Sequence, residues 1–184
     1  MKKVILTSAG FENRIIEDKF INLINKPRNE IMVLFIPTAA INADAIAVLP
    51  ECMNDLLAAE IPKENVHVYD LHKAMSFEKL IKYDAVYFCG GNSQYLLDRI
   101  NEIEFNITLK QYVQKGGVFV GVSAGSIIAA QNLPNNLGFI NCFLSVHCAK
   151  GSDIGKINTS SCQQIKLTND QAILLTDEDA HIIG

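Results

Sequence analysis

The sequence predicts a doubly wound α/β domain built on a mostly parallel sheet. Three observations lead to this fold class. Strand-like and helix-like segments alternate, with short connections, through the first two thirds of the chain. The stretches IMVLFI and AVYFC are apolar without alternation, as expected of parallel strands covered on both faces. Proline and glycine separate the segments. With 184 residues and no linker or repeat, we predict one domain over residues 1–184.

The elements follow in order from local patterns. Period-3.6 apolar spacing predicts helices, and β-branched runs predict strands. The expected strands are 3–7, 31–36, 66–71, 85–89 and 118–122, and the expected helices are 12–25, 43–59, 77–81 and 95–114, the last in two pieces. From residue 137 onward, four short strand-like pieces are expected to finish the sheet and add a small hairpin region: FINCFLSV, QQIKLTN, AILLT and HII.

Composition excludes several classes of protein. A net charge of -4 without a basic run argues against nucleic-acid binding. The apolar stretches are far shorter than the roughly 20 residues that a membrane span needs. The first apolar run ends at Thr7, which is too short for a signal-peptide core. The five cysteines show no CxxC pair and no zinc-like spacing, so we expect reduced thiols, no metal and a cytoplasmic location.

The segment GVSAG, residues 121–125, matches the G-x-S-x-G nucleophile elbow. It lies between a predicted strand and a predicted helix, as that motif requires. Its small residues allow a tight turn that holds the Ser123 hydroxyl above the carboxyl end of the sheet. The N–H of Ala124 would then point at a developing oxyanion. The alternative is structural: Ser123 or Ser126 only caps the helix.

A second glycine-bearing turn, CGGNS, also follows a predicted strand. Bare backbone at Gly90 or Gly91 can supply a second oxyanion donor. The alternative is a loop in which Asn92 or Ser93 caps the next helix. Two such turns at neighbouring strand ends favour a shared site.

A serine nucleophile needs a general base, and the chain has four histidines. His67 lies within a strand, His72 follows it, and His181 belongs to the last strand-like piece. His147 ends the run FLSV at the edge of a polar loop, which suits a base for Ser123. Position alone leaves this assignment open.

Several segments together resemble the peptidase E family of serine peptidases. They are GVSAGS preceded by YVQKGG, the upstream YFCGGNSQYLL, LGFINCFLSVH, the IPTAA turn at 36–40 and the late QAILLTDEDAHIIG. The resemblance covers nearly the whole chain. It implies a fold like that of class I glutamine amidotransferases, a flavodoxin-like three-layer sandwich with serine in place of cysteine at the elbow.

The resemblance also implies roles for individual residues. Ser123 would be the nucleophile, His147 the base, and the N–H groups of Gly91 and Ala124 would surround the oxyanion. No cofactor is implied. The expected substrates are dipeptides or small peptides, in this family with an N-terminal aspartate.

The chain departs from the family pattern in two places. Residues 124–146 contain no Asp or Glu to orient the histidine. The alternatives for that role are Asn132, Asn135, Asn136, Asp153 and Asp177. The family's arginine after the histidine has no match either. Lys156 and Asn158 are the nearest substitutes, with Asn92 as a further substrate-binding candidate, and an aspartyl preference is not assigned.

Three functions therefore compete. The first is a serine peptidase acting on small peptides through an acyl-enzyme. The second is a non-catalytic relative that binds a small ligand or partner at a degenerate site. The third uses Cys89 or Cys148 as the reactive group, although a buried filling role suits both cysteines better. The sequence leaves the oligomeric state open.

Overall fold

The computed structural model describes residues 2–177 and 179–184, and these form a central sheet with helices on both faces. The strands are β1 Lys3–Thr7, β2 Val33–Ile36, β3 Val66–Val68, β4 Ala85–Phe88, β5 Val118–Val122, β6 Cys142–Ser145, β7 Gly155–Lys156, β8 Gln163–Lys166, β9 Ala172–Thr176 and β10 Ala180–Ile183. The α-helices are α1 Arg14–Ile24, α2 Ala43–Ala58, α3 Phe77–Leu80, α4 Ser93–Glu102, α5 Phe105–Gln114 and α6 Ala124–Ile127.

The larger sheet has the strand order β3-β2-β4-β5-β1-β9-β10-β7. The first five strands in this order are parallel, whereas β9, β10 and β7 join in antiparallel pairs. Every residue of β2, β4 and β5 is buried, which explains their continuous apolar sequences. This arrangement confirms the predicted α/β class with a mostly parallel sheet.

Two hydrophobic layers cover the sheet. Helices α1 and α2 pack on one face through residues such as Ile16, Phe20 and Leu56. Helices α3 to α6 pack on the other face, where Leu96 and Phe105 join the core. The parallel strands therefore end at one edge beneath the loops that carry the glycine-bearing turns.

Some element boundaries differ from the sequence predictions. Strand β3 stops at Val68, and Leu71 has a left-handed φ of 58°, so the predicted strand over 66–71 is too long. The predicted break in the helix over 95–114 is confirmed, because Glu104 adopts a φ of 57° between α4 and α5. The apolar helix after the elbow is only Ala124–Ile127.

The last third of the chain corrects one expectation. Strands β9 and β10 are consecutive and antiparallel, so they form a hairpin that extends the main sheet, as expected. However, β6 and β8 pair in parallel as a separate sheet of two strands, so the pieces FINCFLSV and QQIKLTN do not finish the main sheet. A parallel pair requires a crossover, here the segment that contains β7.

Asp55 of α2 is a half-buried carboxyl that joins α2 to the sheet. Its Oδ2 accepts hydrogen bonds from the Tyr87 hydroxyl at 2.5 Å and from the Phe11 N–H at 3.0 Å. Burial raises the pKa of Asp55 to about 6, despite the opposing effect of these hydrogen bonds. The folded chain therefore holds this proton more tightly than the unfolded chain does.

Asp55→Asn is expected to stabilise the protein at neutral pH. Because the folded pKa is raised, stability falls as pH rises from about 4 to about 6, and the loss is complete above that range. Asparagine keeps an acceptor for both donors and removes the charge. We expect a gain of about 2 kcal/mol in the free energy of unfolding at pH 8 and little change at pH 4. Urea unfolding across this pH range measures both values.

The exposed Asp18→Asn on α1 is the matched control for charge removal, and its pH profile should follow the wild type. An Asp55→Asn protein that is equally stabilised or destabilised at pH 4 and pH 8 would contradict the assignment of the penalty to this carboxyl.

Candidate active site

Ser123 occupies a strained turn between β5 and α6. Its backbone has φ 48° and ψ -102°, a positive φ that side chains with a Cβ rarely adopt. Its N–H donates a 3.0 Å hydrogen bond to the Thr7 carbonyl, which fixes the turn to β1. The Ser123 side chain makes no capping bond to α6, so it does not have the role of a helix cap.

The glycines of the elbow are required by packing. A Cβ on Gly121 would lie 2.5 Å from the Gly125 backbone, and a Cβ on Gly125 would lie 2.7 Å from the Phe88 Cβ. Nearby, the buried Ser126 hydroxyl lies 2.7 Å from the carbonyl oxygens of both Thr7 and Gly121. Ser126 therefore ties α6 to two strands and is structural.

His147 lies against the Ser123 hydroxyl. Its Nε2 is 3.0 Å from Ser123 Oγ, within reach for proton transfer. The backbone at His147 has a φ of 56°, and its N–H donates a 2.6 Å hydrogen bond to Ser8 Oγ. The structure thus brings together the serine and the histidine that the sequence singled out.

Asn169 orients the imidazole. Its Oδ1 lies 2.9 Å from His147 Nδ1 on the side of the ring opposite Ser123. An amide oxygen only accepts hydrogen bonds, so Nδ1 carries the proton and Nε2 is free to accept one from Ser123. The arrangement is a Ser-His-Asn triad, in which the orienting residue is neutral.

Sequence reasoning missed Asn169. It lies in the turn between β8 and β9, and no local signal marks it. Parallel pairing of β6 with β8 brings the ends of these strands together, and two backbone hydrogen bonds extend this pairing. They join Leu167 N–H to Ser145 O at 2.8 Å and Cys148 N–H to Leu167 O at 3.0 Å. Asn169 could therefore have been predicted only from the pairing of β6 with β8.

The residues proposed earlier for this role have other contacts. Asn132 accepts from Leu144 N–H and donates to Leu144 O, at 2.9 and 2.8 Å. Asn136 donates to Leu133 O at 2.8 Å. Of the other three, Asn135 lies in a turn with φ 57°, Asp153 lies on an exposed loop, and Asp177 accepts a hydrogen bond from Lys2 N–H.

Two backbone N–H groups near Ser123 have no partner within the described part of the chain. They belong to Gly91 and Ala124, the two oxyanion donors expected from the sequence. Gly90 lies against the nucleophile, since a Cβ placed on it would be 3.3 Å from Ser123 Cβ. Free donors beside a strained serine are the arrangement that stabilises a tetrahedral oxyanion.

Asn92 has a structural role in this loop. Its side chain caps α4 by accepting from Tyr95 N–H at 2.9 Å, and its own N–H donates to Ala39 O at 2.8 Å. These bonds hold the Gly90-Gly91 segment against the β2–α2 loop. Asn92 therefore positions the glycines, and it is not among the residues that line the cavity at Ser123.

Gly91→Ala is expected to destabilise the fold severely. Gly91 has φ 136°, and an added Cβ would lie 2.1 Å from the Ala39 carbonyl oxygen. We expect a loss of at least about 3 kcal/mol in the free energy of unfolding, measured by urea denaturation. Gly155→Ala is the matched control, because Gly155 has φ 133° with no atom within 4 Å of the added Cβ. Equal losses in the two variants would exclude the close contact as the cause.

A cavity of about 300 Å³ opens beside Ser123 and His147. It is bounded by the β1–α1 loop, helix α2, the Gly90-Gly91 turn and Asn169. Lys156 and Asn158 lie in a different cavity, where Lys156 pairs with Asp179. The expectation that these two residues contact a substrate held at Ser123 is corrected here, because β7 is at the far edge of the sheet.

The remaining candidates also lie elsewhere. His67 contacts Tyr83, and His72 contacts Asp70. Cys89 is fully buried, and Cys148 does not line the cavity at Ser123. Within residues 2–177 and 179–184, no three His, Cys, Asp or Glu side chains form a group that could hold a metal. None of the helices in the same residues is long and apolar enough to cross a membrane.

The fold and the elbow place the chain among α/β proteins that hold a serine in a strained turn at the carboxyl end of a parallel sheet. The family model described as Peptidase family S51 matches residues 4–137, well over half of the sequence. The chain belongs to this family, and the resemblance to peptidase E proteins is confirmed.

Individual relatives agree with this assignment. An uncharacterized peptidase of Pasteurella multocida (strain Pm70) is 26% identical over 133 residues, which cover 72% of this chain and 62% of the relative. The match thus spans less than two thirds of that protein's length.

Two solved structures have the same fold over the whole chain. A putative peptidase E protein from Listeria monocytogenes EGD-e superposes with a TM-score of 0.73 at 19% identity, covering 100% of this chain and 98% of that protein. A peptidase from an acI-B1 Actinobacterium superposes with a TM-score of 0.70 at 16% identity, covering 100% and 88%. The class I glutamine amidotransferase-like fold is confirmed.

Proposed function

We propose that the chain is a serine peptidase that hydrolyses dipeptides or small peptides through an acyl-enzyme. The observation that carries the proposal is the contact of 3.0 Å between His147 Nε2 and Ser123 Oγ, with Asn169 holding the other ring nitrogen. Membership of Peptidase family S51 supports the same class of reaction.

The reaction follows from the positions of these groups. Ser123 Oγ attacks the scissile carbonyl carbon while His147 Nε2 takes the hydroxyl proton. The carbonyl oxygen becomes an oxyanion and accepts from the N–H groups of Gly91 and Ala124. His147 then gives its proton to the departing amine, and the C–N bond breaks to leave an ester on Ser123. Water then attacks that ester while His147 takes its proton, the bond to Ser123 Oγ breaks to release the acid product, and the imidazolium returns the proton to Oγ.

The cavity favours small substrates. Its volume of about 300 Å³ lies at the lower end of the range for ligand sites. Neither Lys nor Arg is among its lining residues, so the cavity offers no cationic side chain of the kind that pairs with an aspartyl carboxylate in this family. We therefore propose small peptides without assigning the family's N-terminal aspartate preference to this chain.

Asn169 also supports a second candidate function. A neutral amide stabilises the imidazolium that forms during attack less than a carboxylate does. A non-catalytic relative that binds a small ligand at this cavity would tolerate such a substitution. The free oxyanion donors and the short contact between His147 and Ser123 favour the peptidase.

A fluorophosphonate probe separates the two functions. We expect wild-type Ser123 to be labelled and mapped by mass spectrometry, and His147→Ala to be labelled at least about 100-fold more slowly. Ser126→Ala is the control for loss of a serine hydroxyl, since the Ser126 hydroxyl faces Thr7 O and Gly121 O rather than the cavity. Absence of labelling in the wild type between pH 6 and 9 would leave the ligand-binding function.

A cytoplasmic location is part of the proposal. All five cysteines are free thiols, and three of them are buried. Free thiols persist in reducing compartments.

A further inference from the structure

The cavity at Ser123 is lined by two acidic residues. Glu12 comes from the β1–α1 loop and Glu51 from α2, and both side chains are exposed to solvent. Neither carboxylate forms an ion pair or hydrogen bond with any residue in the described part of the chain. Two carboxylates that line one cavity, with neither Lys nor Arg among its lining residues, give it a negative potential.

A third carboxyl, Asp55, lies one helical turn after Glu51 on α2. Glu12 and Glu51 both act on Asp55 and help to raise its pKa, although burial is the main cause. Glu12 and Glu51 are therefore close enough to Asp55 to influence its ionisation.

The wall next to Glu51 is apolar. Val48 lies one turn before Glu51 on α2 and is 46% exposed, and Leu49 and Ala45 line the same wall. A long cationic side chain suits such a wall, because its methylene stem covers apolar surface while its charged end reaches a carboxylate. Aspartate would bring a carboxylate toward Glu12 and Glu51 and offer no such stem.

We infer that the cavity selects peptides whose residue on the acyl side of the scissile bond carries a lysine- or arginine-type side chain. The stem would lie on Val48, and the charged end would pair with Glu51 and Glu12. This inference rests on the proposed peptidase function, since it names the substrate class of the same site.

The test uses phosphonate diphenyl esters that phosphonylate an active serine. Three probes with free amino groups carry lysine-like, norleucine-like and aspartate-like side chains, and a small fluorophosphonate without a side chain reports the reactivity of Ser123. For the wild type we expect the lysine-like probe to react about tenfold faster than the norleucine-like probe, which has nearly the same stem. The aspartate-like probe should be the slowest.

Variants identify the groups responsible. In Glu12→Gln/Glu51→Gln the ratio of lysine-like to norleucine-like rates should fall close to one, after each rate is divided by that variant's fluorophosphonate rate. Glu51→Lys should reverse the order in favour of the aspartate-like probe. Glu30→Gln, at the opposite end of the sheet before β2, should keep the wild-type ratio. The ratio should also fall in 0.5 M salt, since both carboxylates are exposed.

The outcomes distinguish the two proposals. Rapid fluorophosphonate labelling of Ser123 with equal or reversed rates for the lysine-like and norleucine-like probes would overturn the substrate class and leave the peptidase intact. A preference for lysine that survives Glu12→Gln/Glu51→Gln would overturn the role of these carboxylates. Failure of every probe, the fluorophosphonate included, would overturn the proposed function and this inference with it.

Discussion

Ser123→Ala is expected to lower kcat/KM on a small peptide substrate by about 10⁶-fold. The loss follows because the hydroxyl that forms the acyl-enzyme is removed and the pair with His147 Nε2 no longer exists. The residual rate would come from the free N–H groups of Gly91 and Ala124. Hydrolysis of a peptide panel by purified protein measures this change, and a loss of less than about tenfold would show that Ser123 is not the nucleophile.

The same position offers a second readout, because its backbone is strained. Ser123→Gly should be as inactive as Ser123→Ala but about 1 kcal/mol more stable than it, since glycine adopts φ 48° and ψ -102° without a Cβ penalty. Urea unfolding of the two variants isolates the strain, as both lack the hydroxyl. An alanine variant that is the more stable of the two would show that the turn stores no strain.

Asn169→Asp is expected to raise kcat about tenfold with little change in KM. A carboxylate keeps the acceptor for His147 Nδ1–H and adds a charge that stabilises the imidazolium formed during attack. Asn169→Ala should have the opposite effect, a fall of about 100-fold in kcat, because the ring loses the group that fixes its tautomer. Steady-state kinetics with one peptide substrate separates kcat from KM for all three proteins.

Asn158→Asp is the matched control. It adds the same charge in the separate cavity near Lys156, so it should leave kcat unchanged. If Asn169→Asp and Asn169→Ala lower kcat equally, Asn169 only supports the local structure. A positioning role requires that Asn169→Asp keep a high kcat while Asn169→Ala loses it.

The sequence predicted the parts of the site that depend on one segment each. The elbow around Ser123 and the Gly90-Gly91 turn were identified because each combines a buried strand, small residues and a following helix. Both patterns extend over a few consecutive residues. His147 was selected from four histidines by its place at a strand end, and the 3.0 Å contact agrees with that choice.

The assignments that failed depend on pairing between distant segments. Asn169 reaches His147 only because β8 pairs with β6 in parallel, and no periodicity in either strand specifies that partner. Lys156 and Asn158 were expected at the site because they follow His147 near the place of the family's arginine, yet β7 pairs with β10 at the far edge of the sheet. Proximity in sequence did not give proximity in space.

The acidic lining of the cavity shows the same limit. Glu12 and Glu51 are separated in the sequence by helix α1 and strand β2. Each of them alone is an ordinary exposed carboxylate. They meet at one cavity because β1 lies beside β5 and α2 packs on the same face as α1.

By itself the sequence determined the α/β class, the parallel strands, the strained serine turn and the family, because these follow from local patterns of burial and backbone freedom. Only the tertiary structure decided which residue orients His147 and which charges surround the substrate cavity. The physical reason is that strand order and register are set by contacts over the whole sheet, and side chains at different strand ends come together only when that sheet forms.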